Sequence, residues 1–311
     1  MSSGPPSCKA SGAGTTSCGS GSESCCTSLT VMGGMYDRTY TNNGTGATGP
    51  ADPATISTYR LDKYAVTVAR FRPFAVAANG GWTPAMGSGK HTHLNGGKGL
   101  EDSATPGGYE PGWLTSDNSN IAPTDANLIG NASYATWTSK AGSQENLPIN
   151  YVDWYEAYAF CIWDGGFLPS EAEWEYAAAG GSQEREYPWG STDPGTGSKY
   201  AIDGCNYPGG MGVCAMGLAN IAPVGTATLG AGLWGQLDLV GNMQQWMLDL
   251  SNQYVDPCTD CGYMTAPPFT NRMIRGGSFA DGAPNLVSSA LDDDEPENRR
   301  YYIGFRCART P

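Results

Sequence analysis

A loop-rich α+β domain is the fold class that this 311-residue sequence predicts, on three observations. Two capping signatures open short helices in mid-chain. The segments on either side hold only brief apolar runs, and 44 glycines and 21 prolines break those runs apart. Aromatic residues reach 11% while charged residues stop at 15%, which points to a packed globule rather than a disordered tract.

In chain order, residues 1–30 are rich in Ser, Gly and Cys and hold little that can fill a core, so they read as a stapled leader or amino-terminal tether to a domain at 31–311. A bond between adjacent Cys25 and Cys26 would strain the peptide. Two crosslinks joining Cys8, Cys18, Cys25 and Cys26 within the leader are therefore expected, with the pairing open. Tyr59 to Val66 alternates as a strand does, and Thr67 then caps a helix that turns Val68, Phe71, Ala75 and Val76 inward, with a kink at Pro73. Residues 80–146 are rich in Gly, Asn, Thr and Ser and read as long loops packed on the domain.

The pair Asp153 and Glu156 opens a helix of about three turns that ends at Gly165-Gly166. Ser170 and Glu173 open the next, which ends at Gly180-Gly181. Beyond Tyr187, the runs Leu237-Asp238-Leu239-Val240 and Met273-Ile274-Arg275 predict brief strands.

The net charge of −13, with 17 Lys and Arg against 30 Asp and Glu, argues against nucleic acid and anionic membranes as partners and leaves cations and basic surfaces. No apolar run approaches the ~20 residues that span a bilayer. Met1-Ser-Ser-Gly-Pro-Pro carries no export signal and reads as the start of a mature, exported form. Cys258-Thr-Asp-Cys261 and the Cys205 to Cys214 spacing could hold zinc in a reducing cell. With two histidines in the chain and scattered thiols, disulfides in an extracytoplasmic compartment are the better reading of the ten cysteines.

Four ordered blocks carry a family resemblance. They are Tyr64-Ala65-Val66-Thr67; Leu168-Pro169-Ser170-Glu171-Ala172-Glu173-Trp174-Glu175-Tyr176-Ala177 with Tyr187-Pro188-Trp189-Gly190; Leu237 through Gly241-Asn242-Met243-Gln244-Gln245-Trp246; and Arg275-Gly276-Gly277-Ser278 with Ile303-Gly304-Phe305-Arg306-Cys307. Together they resemble the formylglycine-generating-enzyme, or sulfatase-modifying-factor, family over residues 31–309. The resemblance implies a C-type-lectin-like α+β fold and a structural disulfide between Cys161 and Cys307. Ser170, Glu173 and Glu175 are expected to terminate or solvate their helix, and Trp174, Tyr176 and Trp189 to fill the core.

In the enzymes of that family, two cysteines three and eight residues after the Gly-Gly-Ser serine bind copper(I). Here the serine is Ser278 and those positions are Asp281 and Leu286, which cannot replace two thiolates, so no copper is expected. The same resemblance places a ligand cleft at Ser278, Asp281 and Leu286. It also implies a calcium loop in which Asp238 and Gln245 give side-chain oxygens and Gly241 and Met243 give carbonyls, with Gln245 standing where the family often has Glu. A second calcium loop would fall near Asn206-Tyr207, without a matching acidic ligand.

Two other groups could carry chemistry. His91 and His93 would need Glu101 or Asp102 to complete an iron or zinc shell, against the plainer reading of hydrogen-bonded loop histidines. The run Asp292-Asp293-Asp294-Glu295, with Glu297, is either a solvated loop or an acidic cleft mouth. The sequence thus reads as a non-catalytic extracytoplasmic member of the family that binds a peptide, a glycan or a surface partner. An oxidoreductase with an unrecognised metal site and a structural component of a cell-surface assembly are the alternatives.

Overall fold

The computed structural model describes residues 4–19, 23–210, 212, 214–265 and 271–311. Among the described residues, four small sheets and four α-helices enclose several apolar clusters. The first sheet orders β1 (Ser28–Val31), β4 (Tyr59–Asp62) and β12 (Ala308–Arg309), all antiparallel. The second orders β10 (Leu291–Asp294), β9 (Arg272–Arg275), β6 (Gln244–Leu250) and β11 (Ile303–Gly304), with only β6 and β11 parallel. The hairpin β2 (Gly34–Asn42) and β3 (Ala47–Ile56) adds β7 (Cys258–Thr259), and β5 (Glu101–Asp102) pairs with β8 (Cys261–Gly262).

Thr67 caps α1 (Val68–Asn79) as expected, its hydroxyl accepting the Arg70 N–H at 3.2 Å. Val68, Phe71 and Ala75 are buried, but Val76 is 75% exposed. Phe74, three residues after Phe71, takes the inward place, because Val76 lies about 100° further round the helix from Ala75. The helix continues through Pro73. Among the residues read as long loops lie a short helix, α2 (Asp125–Ile129), and the fully buried Trp113 and Leu128, so this stretch is part of the core.

The helices α3 (Trp154–Trp163) and α4 (Glu171–Ala179) begin at the expected caps. Ser170 and Glu173 complete a reciprocal capping box, whereas Asp153 bonds the Glu156 N–H without return, because the Glu156 carboxylate is held by Arg299. Ser170 and Glu173 thus terminate the helix as expected, but Glu175 is buried rather than solvated, as are Glu171 and Glu173. The cause lies on β9: the Arg275 guanidinium enters beside α4 and pairs with Glu171 and with Glu175, the latter at 3.0 Å. Leu237 to Val240 is not a strand, since Asp238 turns at a positive φ of 52°. Trp174 and Tyr176 are core as expected, and Trp189 is half-buried against Tyr187.

All ten cysteines are paired, as Cys8–Cys26, Cys18–Cys25, Cys161–Cys307, Cys205–Cys214 and Cys258–Cys261. The Cys161–Cys307 bond spans 146 residues and ties α3 to the chain just before β12. Its loop closure corresponds to about 5 kcal/mol of denatured-state entropy. The leader is sewn to the domain by Arg70, which reaches the Ser7 hydroxyl at 3.1 Å and the Cys25 carbonyl at 3.1 Å. The division at residue 30 falls inside β1, which crosses it to pair with β4.

Candidate ligand cleft

The cleft begins where β9 ends. Gly276 and Gly277 both adopt positive φ, and a Cβ at Gly276 would stand 2.4 Å from the Leu239 carbonyl oxygen. No side chain fits there, so these two glycines let the chain turn tightly out of the sheet. Ser278 follows, donating its N–H and hydroxyl to Asp281 Oδ2 at 2.8 and 2.7 Å. Asn285 lies 3.4 Å from the other Asp281 oxygen. The chain then returns as β10, antiparallel to β9, and brings Asp292 to a cavity that Asp281 also lines.

This cavity, of about 170 Å³, is lined by Gln244, Arg275, Asp281, Asn285, Leu291 and Asp292 among others. Gln244 reaches Asp292 Oδ2 at 3.4 Å. Arg275 sits at its base with its Nε buried and without a partner among the described residues. The wall is therefore carboxylate and amide, with one under-used donor below.

Of the three residues expected to line this cleft, Asp281 does so. Ser278 is buried behind it and spends its hydroxyl on Asp281. Leu286 does not line it: fully buried, it packs in the apolar core beneath the Gly277 turn. The two positions that would need thiolates are thus a wall carboxylate and a core aliphatic, and every cysteine of the chain is in a disulfide. These residues do not fit copper(I).

The calcium positions also meet a fit test. Gln245 Oε1 accepts the Trp174 indole N–H at 3.0 Å and Arg306 Nε at 2.6 Å, and its Nε2 donates to the Asp238 and Leu239 carbonyls. The Asp238 carboxylate accepts the Gly225 N–H at 2.6 Å, and burial pushes its pKa up. The Gly241 carbonyl accepts the Met243 N–H. Arg306 donates to the Leu237 and Asp238 carbonyls as well as to Gln245 Oε1, so a guanidinium already stands against one of the four expected ligand oxygens and two neighbouring carbonyls. As arranged, the set does not fit a calcium ion. Near the second expected loop, the Asn220 amide bonds the Cys205 and Tyr207 carbonyls.

His91 is fully buried between two carboxylates. Its Nδ1 lies 3.1 Å from both Glu110 oxygens and its Nε2 3.0 Å from Glu173. Burial alone would lower its pKa; Glu173 and Glu110 outweigh that and push it up to about 10. His93 stacks on Phe167 with both ring nitrogens buried and unpartnered, and burial lowers its pKa. Glu101 is exposed on β5, and Asp102 is spent on the Met264 N–H and the Thr265 hydroxyl. These four residues do not form a metal shell. Among the described residues, no group of three or more His, Cys, Asp or Glu is placed to hold an ion.

The acidic run separates in space. Asp292 faces the cleft, Asp293 bonds the Ser251 hydroxyl, Asp294 holds Arg300, and Glu297 accepts from the Tyr155 hydroxyl. Sequence reasoning missed Arg275 in the cleft lining and the stacking of Arg272 on Trp154, 3.7 Å from the ring centroid. An arginine at the end of the apolar run Met273-Ile274-Arg275, with Glu171, Glu173 and Glu175 in the capping helix, was the available signal for the first.

This chemistry sits in a recognisable scaffold. Residues 17–311 match the family model of the sulfatase-modifying factor enzyme 1-like domain, and the chain belongs to that family. It is 29% identical over 305 residues to the formylglycine-generating enzyme of Streptomyces coelicolor, covering 89% of this chain and 85% of that one. A hercynine oxygenase of Mycobacterium tuberculosis is 29% identical over 167 residues, 52% of this chain and 36% of that protein, so the relatives include an oxygenase. The structure of PvdO from Pseudomonas aeruginosa superposes with a TM-score of 0.57 at 19% identity, covering 97% of this chain and all of that one, and shares the fold.

Proposed function

We propose that this protein is an extracytoplasmic binding protein whose cleft receives a cationic group, a lysine or arginine side chain of a peptide or surface partner, without catalysing its oxidation. The observation that carries this reading is a cleft lined by Asp281, at one of the two thiolate positions, and by Asp292. Two carboxylates that line one cavity attract an ammonium or guanidinium, and the net charge of −13 steers such groups toward the surface. Five disulfides favour an oxidising compartment.

The test is titration with a short lysine-containing peptide and its Nε-acetylated form, alongside oxygen consumption with a cysteine peptide. Binding of the first peptide that acetylation weakens at least tenfold, without oxygen uptake, supports the proposal. Copper-dependent oxygen uptake by the purified protein, or equal binding of the two peptides, overturns it.

A further inference from the structure

The second sheet ends at β10, which pairs with β9 and with no other strand among the described residues. Leu291, Asp292 and Asp293 are exposed along it, and Leu291 keeps 54% of its surface in solvent. An open strand edge is a row of N–H and C=O groups with which a further strand can pair. Here that edge adjoins the cleft, because Leu291 and Asp292 also line the cavity.

The charges along β10 decide what can join it. Asp292 has no ion-pair partner among the described residues: its Oδ2 has the Gln244 amide at 3.4 Å, and its Oδ1 accepts the N–H of Asp293 at 2.9 Å. That second bond lies within the strand, and an incoming carbonyl can take its place. Asp293, by contrast, spends its side chain on the Ser251 hydroxyl and the Asn271 amide. A second copy of this chain is a poor occupant, since β10 laid against another β10 sets Asp292 and Asp293 against like charges. An acidic segment meets the same repulsion, and a basic one meets attraction.

We infer that the ligand of the cleft is an extended basic peptide segment that adds to the free edge of β10 as a fifth strand, an inference that rests on the cationic reading above. Its lysine or arginine stands opposite Asp292, where directly opposed side chains lie about 5 Å apart on one face of the sheet. Its main-chain carbonyl takes the Asp293 N–H, which leaves Asp292 Oδ1 to the ammonium or guanidinium. The residue beside the lysine falls opposite Leu291, and an apolar side chain there covers the exposed leucine. Main-chain bonds then supply affinity, and the side chains opposite Asp292 and Leu291 supply choice.

Calorimetric titration of the disulfide-intact chain with acetyl-Thr-Val-Lys-Val-Thr-amide and three relatives tests this. One relative is methylated on the two valine nitrogens, one on the lysine and threonine nitrogens, and one carries Nε-acetyllysine. A strand held by one edge turns every second N–H toward its partner. One backbone-methylated peptide is therefore expected to bind at least tenfold more weakly than the parent, and the other within about threefold of it. Leu291→Arg, at an exposed position, is expected to cost the parent peptide about tenfold through like charge beside the lysine. Backbone-methylated peptides that both bind as the parent does, or that both lose equally, overturn the inference, as does unchanged affinity in Leu291→Arg. If Nε-acetylation still weakens binding tenfold in those cases, the cationic reading stands without the strand. A parent peptide that does not bind, or that Nε-acetylation does not weaken, overturns both.

Discussion

Arg70 and Asp292 are both charged side chains, and their surroundings differ in a way that separates scaffold from site. Arg70 spends its guanidinium on Asp62 at 3.0 Å, Asp164 at 2.8 Å, the Ser7 hydroxyl and the Cys25 carbonyl. Arg309 closes the set on the same two carboxylates. Asp164 stays below the ordinary carboxylate range although burial works against it, because Arg70 and Arg309 outweigh the loss of water. Asp292, by contrast, lines a cavity at the sheet edge with no cationic partner among the described residues. A buried charge with all its partners locks chain segments together; an exposed one that lines a cavity without a counter-charge is where a ligand can add something.

The first way to break the comparison is to remove the locked charge. Arg70→Met leaves Asp62 and Asp164 buried with only Arg309 between them and detaches the leader from α1. A loss of roughly 3–5 kcal/mol is expected, read from denaturant unfolding. A loss below about 1 kcal/mol would show that the network is not what holds the leader down.

His91 gives a second, pH-dependent test of a locked site. Its folded pKa of about 10 stands above the unfolded value near 6.5, so its contribution is fully present below pH 6.5 and is lost as pH rises through 10. Wild type should lose on the order of 3 kcal/mol between pH 6.5 and pH 9 from this group. His91→Gln should flatten that slope. The same slope in both proteins would mean that another group carries it.

Much of this organisation is legible in the sequence. The capping residues Thr67, Asp153 and Ser170, the glycine stops, and the blocks that carry the resemblance all locate elements correctly. What is not legible depends on long-range partners. Glu175 reads as solvated in a helix window, and only Arg275, 100 residues away, makes it a buried group. Gln245 reads as an oxygen donor for an ion until Arg306 is seen to occupy its oxygen. Val76 failed for a local reason: the apolar stripe of α1 was drawn one position too wide.

At the cleft, the two carboxylates that line the cavity without a cationic partner among the described residues should behave as a site does. Asp281→Asn and Asp292→Asn together are expected to change stability by less than about 1 kcal/mol while costing about tenfold in affinity for a lysine peptide. Unchanged affinity would assign both carboxylates to the surface alone. Asp292→Asn is the cleaner of the two, since Asp281 also holds the Ser278 N–H and hydroxyl and so has a part in shaping the turn.

The smallest expected effect is that of calcium on the wild-type turn beside Arg306. Its guanidinium bonds Gln245 Oε1 and the carbonyls of Asp62, Leu237 and Asp238, so the turn's oxygens already face a cation carried by the chain. A ligand that binds only the folded state raises the melting temperature in proportion to its occupancy. With Arg306 in place, chelator and added calcium are therefore expected to leave the melting temperature unchanged. Arg306→Gln withdraws the charge from buried carbonyls and should destabilise the protein strongly in chelator. If calcium then restores part of the loss, the turn keeps the oxygens an ion needs and the arginine is what excludes it. A calcium-dependent rise in wild type would show instead that Arg306 moves aside, and that this turn belongs with the under-partnered sites rather than with the locked ones.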